Sequence, residues 1–144
     1  MRVVIDTNVL VSGVLNPHGP PGRIVDAILA EAFTVLYDDR ILGEYRAVLA
    51  RPTFGFRPAE IHTLLDFVEV AGESVAAQSL AVVLSDPTDL AFLEVAATAH
   101  ADALVTGNAK HFKPQRGRHD VNVWTPASVH EQLGISGTKG PNVI

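Results

Sequence analysis

The chain of 144 residues contains no cysteine. This absence excludes a disulfide scaffold and a thiolate metal site, and it fits a cytoplasmic protein. Long hydrophobic runs are missing too, because the apolar stretch at residues 9–15 is broken by Ser12 and Gly13. That is far short of the roughly 18 apolar residues that a membrane span requires. We therefore expect a soluble protein without a membrane segment or a signal peptide.

Positive charge is scarce as well. Sixteen acidic residues outnumber eleven Lys and Arg residues, which gives a net charge of −5 with histidine neutral. This balance argues against broad electrostatic capture of nucleic acid, although it permits a local basic patch. An acidic chain that handles a polyanion would need metal ions to offset the repulsion.

What the chain does contain is an alternation of short apolar blocks and amphipathic segments. Strands are predicted at residues 2–5, 33–37, 82–84, 102–106 and 121–124. Helices are predicted between and after them, with at least one of Asp38 and Asp39 capping the helix after the second strand and Thr125 capping the last helix. This alternation predicts an α/β fold with a mostly parallel sheet covered on both faces, in one domain over residues 1–133. The Gly-, Ser-, Thr- and Pro-containing tail at 134–144 is expected to be disordered.

The first predicted strand ends at a carboxylate. Three β-branched residues at 3–5 are followed directly by Asp6. In open α/β sheets the ligand crevice lies outside the carboxyl ends of the strands, so Asp6 is placed to bind a ligand. Aspartate is also a favoured N-cap residue, and Asp6 could simply cap the next helix. Its position alone leaves both interpretations open.

Two further acids are predicted on helices. Glu44 lies at the edge of the apolar stripe of its helix, so it is either half drawn into the protein or extended to water. Asp89 heads the buried face of a later helix, where a first-turn acid is also favoured by the helix dipole. Asp86, three residues earlier, is expected to cap that helix.

Thr106 ends a later predicted strand, and parallel strands would bring it to the same sheet edge as Asp6. With Glu44 and Asp89 nearby, several carboxylates would converge there. Such carboxylates repel one another and are costly to bury, so they need a compensating cation. Oxygen ligands suit Mg²⁺ or Mn²⁺, which can activate water and stabilise charge on a phosphodiester. Metal-dependent phosphodiester hydrolysis is the predicted chemistry.

One basic stretch occurs, at residues 110–119. Its four cations are either solvated or contact RNA phosphates, and they are Lys110, Lys113, Arg116 and Arg118. The six histidines of the chain show no paired metal-ligand spacing. We interpret them as surface or capping residues.

Four motifs of the chain, at residues 4–12, 42–52, 86–96 and 101–112, resemble the PIN domain family. Each motif alone is weak, but four in the right order and spacing make a specific match. The resemblance extends to about residue 133 and is clearest to PIN proteins that act as toxins of toxin–antitoxin systems, of the VapC type. It implies a three-layer α/β/α sandwich whose acidic pocket binds one or two Mg²⁺ or Mn²⁺ ions and cleaves RNA.

The resemblance also implies roles for individual residues. By position, Asp6, Glu44 and Asp89 would be the metal-binding carboxylates. Thr106 would position metal, water or phosphate, and Asn8 would orient Asp6. The resemblance therefore implies that the chain is a Mg²⁺- or Mn²⁺-dependent endoribonuclease.

One position departs from the family pattern. Many relatives carry an aspartate where this chain has Asn108, so the neutral residue argues against a tightly held second metal. VapC-like toxins form homodimers and are silenced by an antitoxin protein whose segment enters the pocket. A homodimer, an antitoxin and an RNA substrate are therefore the implied partners.

Three other interpretations are open at the level of sequence. A phosphoaccepting receiver domain would use Thr106 and a Lys-Pro pair, but Lys113 follows only seven residues later, too few for a helix and a strand. A haloacid-dehalogenase-like phosphatase would need an aspartate where Asn8 stands. A PIN domain that has lost catalysis and only binds RNA or protein is suggested by Asn108, although the three main acids are retained.

Overall fold

A computed structural model describes residues 1–84, 86–115 and 119–133 of the chain. Within these residues five strands form one sheet in the order β3-β2-β1-β4-β5, and every pairing between neighbours is parallel. The strands are β1 (Arg2–Ile5), β2 (Thr34–Tyr37), β3 (Glu73–Ser74), β4 (Ala103–Val105) and β5 (Val123–Trp124). The predicted parallel sheet is thereby confirmed.

Helices cover this sheet on both sides and complete the three-layer α/β/α sandwich that we predicted. In the described part of the chain they are α1 (Thr7–Leu15), α2 (Pro20–Leu29), α3 (Asp39–Leu49), α4 (Pro58–Ala71), α5 (Asp89–Thr98) and α6 (Pro126–Leu133). Two short 3₁₀ segments lie at Pro52–Phe54 and Ala109–Gln115. Among the residues described, no helix is long and apolar enough to cross a membrane.

The central strand β1 organises both the core and the site. Its Val3, Val4 and Ile5 are fully buried, which explains the continuous β-branched block in the sequence. Within the sheet, β2 and β3 lie on one side of β1, whereas β4 and β5 lie on the other side of β1. The order therefore reverses between β1 and β4, and ligands of open α/β sheets bind at such a switch point.

The prediction of a strand at residues 82–84 is wrong. The third strand is Glu73–Ser74, directly after α4, and residues 75–84 run on without strand structure. Two backbone donors of this segment are bound by side chains of α5 instead of by a neighbouring strand. The N–H of Gln78 donates to Thr98 Oγ1 at 2.9 Å, and the N–H of Leu80 donates to Glu94 Oε2 at 2.7 Å. The tail at 134–144, predicted to be disordered, lies outside the described residues.

Helix starts follow the local sequence at two of three places. Asp38 accepts a hydrogen bond from the N–H of Ile41 and so caps α3, as its acidic pair predicted. Thr125 caps α6 by accepting from the N–H of Ser128. Asp86 was expected to cap α5, but that helix begins only at Asp89. The Asp86 side chain instead closes the preceding turn by accepting from the backbone N–H and the hydroxyl of Thr88.

Gly43 occupies an exposed position in the middle of α3. Apart from its chain neighbours and the backbone of its own helix, no atom lies within 4 Å of the place where a β-carbon would sit. Glycine weakens a helix because its backbone loses the most freedom on folding. Gly43→Ala is therefore expected to raise the free energy of unfolding by about 0.5–1 kcal/mol. Denaturant unfolding followed by circular dichroism measures the change.

Gly22 provides the matched control for this substitution. A β-carbon there would lie 2.1 Å from the carbonyl oxygen of Pro17, so Gly22→Ala should destabilise the protein. Equal or lower stability of Gly43→Ala relative to the wild type would contradict the prediction.

Candidate active site

Asp6 and Thr106 form the centre of the candidate site, where β1 and β4 end. Ile5 and Val105 are register partners, so the residues that follow them lie side by side. Asp6 is 5% exposed and Thr106 is fully buried. Thr106 Oγ1 donates to Asp6 Oδ2 at 2.7 Å and accepts from the N–H of Asn108 at 3.0 Å. The hydroxyl proton is thus directed to the carboxylate.

The side chain of Asp6 is not used as a helix cap. Asp6 occupies the N-cap position of α1, yet its carboxylate makes no capping hydrogen bond. Burial raises the pKa of Asp6, and the negative charge of Glu44 raises it further. The hydrogen bond from Thr106 and the nearby N–H groups of Thr7 and Asn8 lower the pKa but do not cancel the increase. The carboxylate is therefore held where its charge is poorly compensated.

Glu44 is drawn toward this carboxylate rather than extended to water. It is half-buried on α3 and accepts a hydrogen bond from Thr7 Oγ1 on the first turn of α1. The neighbouring Tyr45 is fully buried, and its hydroxyl donates to the carbonyl of Ile5. Tyr45 thus holds α3 against the end of β1, and this contact brings Glu44 to the site.

Asp89 is the third acid and lies at the first residue of α5, 5% exposed. Its Oδ2 lies 3.1 Å from Nδ1 of His111. Burial, followed by repulsion from Asp6 and Asp86, raises the pKa of Asp89 to about 6, although His111 partly opposes the shift. Repulsion from Asp6 is therefore part of the electrostatic environment of Asp89.

His111 was missed when we interpreted the histidines as surface or capping residues. It follows β4 in the 3₁₀ segment, its side chain is about one-third exposed, and it contacts a candidate carboxylate. The spacing of histidines could not reveal this role, because His111 acts on an acid rather than on a second histidine. Its place five residues after Thr106, inside the fourth motif, was the available signal.

The remaining candidates contribute in other ways. Asn8 was expected to orient Asp6, but its Oδ1 lies 3.5 Å from the N–H of Gly107 and so faces the turn after β4. Asp86 is exposed, and the hydrogen bonds from Thr88 lower its pKa. Both residues shape the loops around the acids.

The basic stretch is described only in part. Lys110 is exposed at the start of the 3₁₀ segment, immediately before His111. Arg116 and Arg118 lie outside the described residues, as does the side chain of Lys113. A contact between these cations and RNA stays a prediction.

The donor set of the site suits a hard divalent cation. Asp6, Glu44, Asp89 and Thr106 offer oxygen atoms, and burial raises the pKa of both aspartates, so a nearby positive charge would be stabilising. In the described part of the chain, no three acidic or histidine side chains lie close enough together to hold one ion. An ion that keeps several of its waters needs only one or two carboxylates, and Mg²⁺ behaves in this way.

Fold and site together define a parallel α/β/α domain with acidic side chains at the switch point of its sheet. The family model of the PIN domain matches residues 2–110 of the 144. The chain belongs to the PIN domain family. This membership excludes the receiver and phosphatase interpretations, and the matched region contains Asp6, Glu44, Asp89 and Thr106.

Comparison with individual proteins agrees with this family. The fold is similar to a chain in the crystal structure of VapBC2 from Rickettsia felis bound to a DNA fragment from their promoter. The TM-score is 0.54 with 18% sequence identity over 87% of this chain and 98% of that chain, which establishes similarity of fold alone. A shorter match to the uncharacterized protein MJ1680 of Methanocaldococcus jannaschii is 46% identical over 44 residues. It spans 31% of this chain and 28% of that relative.

The raised pKa of Asp89 predicts how stability depends on pH when divalent ions are absent. The carboxyl titrates near 3.8 ordinarily and near 6 in the folded chain, so between these values the folded state binds more protons. The contribution of Asp89 to the free energy of unfolding should therefore rise as the pH falls from about 7 to about 4. Two pKa units correspond to about 3 kcal/mol, of which we expect about 1 to 2 kcal/mol after local relaxation.

Asp89→Asn isolates this contribution, because asparagine keeps an acceptor for His111 but carries no charge. With a chelator present at pH 7.5, the melting temperature of Asp89→Asn should be higher than that of the wild type. This difference in melting temperature should shrink as the pH falls through 6. A difference in melting temperature between variant and wild type that stays constant from pH 4.5 to 7.5 would contradict the prediction.

Proposed function

We propose that this chain is a metal-dependent endoribonuclease that hydrolyses RNA phosphodiester bonds. The observation that carries the proposal is the placement of the acids: Asp6 and Asp89 are each 5% exposed, Thr106 binds Asp6, and Thr7, the residue after Asp6, binds Glu44. The charge of Asp6 accordingly raises the pKa of Asp89. Burying carboxylates near one another without a cation is unfavourable, so this arrangement is typical of a site that is completed by a metal ion.

Mg²⁺ or Mn²⁺ is the cofactor that these oxygen donors would hold. Asp6 and Asp89 would bind the ion directly, and Glu44 and Thr106 would act through its waters. Bound there, a divalent ion lowers the pKa of a coordinated water and offsets the charge that builds on a phosphodiester. The neutral Asn108 favours one ion rather than two.

Each acid has its own positioning group from a different part of the fold. Thr106 donates to Asp6, Thr7 donates to Glu44, and His111 contacts Asp89. Hydrogen bonds of this kind restrict the rotamers of the carboxylates before any ligand arrives. This preorganisation supports a catalytic role, because isolated surface acids do not need it.

Cleavage of a mixed RNA pool tests the proposed activity. The wild-type protein should cleave RNA with Mn²⁺ or Mg²⁺, lose activity in EDTA, and regain it when excess Mn²⁺ is added. Equal cleavage with and without EDTA would contradict the metal mechanism. If folded protein fails to cleave RNA with either ion, the function is instead that of a PIN domain that only binds RNA or protein, which Asn108 favours.

We further propose that the chain is the toxin of a toxin–antitoxin pair, acts in the cytoplasm and forms a homodimer. The similarity of its fold to a chain of VapBC2 supports this assignment. A small DNA-binding protein encoded next to this chain should bind it and suppress RNA cleavage at equimolar concentration. A neighbouring protein that binds without affecting cleavage, or the lack of any such neighbour, would contradict the toxin assignment.

His111 allows a test of metal binding that does not depend on RNA. His111→Ala removes the contact to Asp89 and should weaken Mn²⁺ binding by about tenfold, the lower end of the range for groups that orient metal ligands. His111→Asn places an amide N–H near the position of Nδ1 and should restore most of the affinity. Isothermal titration of the protein with Mn²⁺ measures both variants.

His62 provides the control for these variants, because it is exposed on α4. His62→Ala should bind Mn²⁺ as the wild type does. If His111→Ala also binds Mn²⁺ with unchanged affinity, His111 does not position the site.

A further inference from the structure

A cavity of about 230 Å³ lies beside the acidic site, between α3 and the start of α5. Its wall includes Glu44, one of the three acids, and Thr88, which precedes Asp89 in the chain. Apart from these residues and Arg40, the wall is apolar and consists of Ile41, Pro87, Leu90, Ala91 and Phe92. The cavity is therefore continuous with the proposed catalytic site but differs from it in chemistry.

Arg40 is half exposed at this wall, and two carboxylates contact its guanidinium. Its Nε and Nη2 each lie 2.8 Å from Asp38 Oδ2, and its Nη1 lies 2.6 Å from Glu94 Oε1. The Nε and Nη1 contacts are hydrogen bonds and the Nη2 contact is an ion pair, so at least two of the five N–H groups of the guanidinium remain for a ligand. The two carboxylates thus orient the planar group before a ligand binds.

The charges around Arg40 determine which kind of ligand fits. One positive charge is shared between the carboxylates of Asp38 and Glu94, and the carboxylate of Glu44 lies in the same wall. The wall therefore has no excess positive charge, which disfavours a phosphate group. An uncharged ligand with flat apolar faces and polar edge atoms matches the apolar wall and the remaining donors of Arg40.

We propose that this cavity binds one nucleobase of a single-stranded RNA, the base that flanks the phosphodiester held at the acids. The inference rests on the proposed ribonuclease function. Sequence-specific proteins recognise single-stranded RNA by packing splayed bases against side chains and by forming hydrogen bonds to the base edges. Here the apolar wall packs against the base, and Arg40 donates to acceptors on its edge. The cavity consequently sets a base preference at one position next to the cleaved bond.

Filling the cavity tests this assignment. Ala91→Leu and Ala91→Phe place side-chain atoms in it without changing an acid or Arg40. The wild type should prefer one base at a single flanking position by about tenfold, and both variants should reduce that preference several-fold while cleavage continues to need Mn²⁺. Sequencing the ends of a cleaved random RNA pool measures the preference.

Ala97→Leu is the matched control. Ala97 is half-buried on the same helix, as Ala91 is, but it does not line the cavity. This variant should keep the wild-type base preference, and melting curves identify any variant that loses its fold. An unchanged preference in folded Ala91→Leu and Ala91→Phe overturns the proposal.

Binding of uncharged nucleosides separates this proposal from the ribonuclease proposal. Adenosine, cytidine, guanosine and uridine at millimolar concentration should shift the methyl NMR signals of Ile41, Leu90 and Ala91 for at least one base. Ala91→Phe should weaken this binding at least tenfold. A chain that binds nucleosides but never cleaves RNA would refute the ribonuclease and retain the base site. A chain that cleaves RNA but shows neither nucleoside shifts nor a changed preference in the variants would refute the base site alone.

Discussion

Replacing Asp6 by asparagine is expected to lower the rate of RNA cleavage in Mn²⁺ by about 10³-fold or more. The substitution removes a carboxylate that is proposed to bind the ion directly, and groups that merely orient such ligands already contribute 10- to 100-fold. Asparagine keeps the shape and retains an acceptor for the Thr106 hydroxyl. The loss should therefore come from charge and not from disruption of β1. Initial rates on one RNA substrate at saturating Mn²⁺ measure the effect.

The same substitution should not destabilise the protein in the absence of metal. Burial and the charge of Glu44 raise the pKa of Asp6, so its ionised form opposes folding at neutral pH. Asp6→Asn should consequently melt at the wild-type temperature or above it in EDTA. Activity and stability would then change in opposite directions, which unfolding cannot produce.

Asp66 supplies the control for Asp6, because it is exposed on α4. Asp66→Asn makes the same chemical change and should leave both cleavage and melting temperature unaltered. Retention of more than about a tenth of the wild-type rate by Asp6→Asn would be incompatible with direct metal ligation by this residue.

Replacing Glu94 by glutamine is expected to destabilise the fold by about 2 to 3 kcal/mol, although the two side chains have nearly the same shape. Glu94 is 3% exposed on α5 and accepts from Arg40 through Oε1 and from the N–H of Leu80 through Oε2. An amide has one acceptor and one donor group. Whichever way glutamine turns, one of these two donors faces an N–H instead of an oxygen. The melting temperature should fall by roughly 5 to 10 °C.

The pair of Arg46 and Glu69 is the matched control for this prediction. Its Nη2 and Oε1 lie 2.8 Å apart, similar to the 2.6 Å between Arg40 and Glu94, but the side chain of Glu69 is 51% exposed whereas that of Glu94 is 4% exposed. Exposed ion pairs contribute about 0–1 kcal/mol, so Glu69→Gln should change the melting temperature little. Equal effects of Glu94→Gln and Glu69→Gln would contradict the importance that we assign to burial.

Local signals in the sequence predicted most of the architecture. The β-branched block before Asp6 became the central strand β1, and the acidic pair at 38–39 became the start of α3. These predictions succeeded because burial on both faces of a strand and capping of a helix depend on adjacent residues. Asp6 and Thr106 were both placed at strand ends for the same reason.

Predictions failed where contacts between distant segments decide the outcome. Residues 82–84 have the composition of a strand, yet Glu94 and Thr98 bind the backbone of the segment that precedes them. Glu94 itself drew no attention in the sequence, because nothing local distinguishes a buried glutamate from an exposed one. His111 was missed for a related reason, since its partner Asp89 lies 22 residues earlier in the chain.

The sequence by itself determined the succession of strands and helices along the chain, the parallel α/β class and the residue types at the ends of β1 and β4, because hydrophobic period and capping chemistry act over a few residues. Only the tertiary structure decided which groups hold the acids. Thr7, Thr106 and His111 lie 37, 100 and 22 residues along the chain from the carboxylates that they contact. Contacts across such separations form only when the order of the strands in the sheet brings distant segments together, and no local pattern encodes that order.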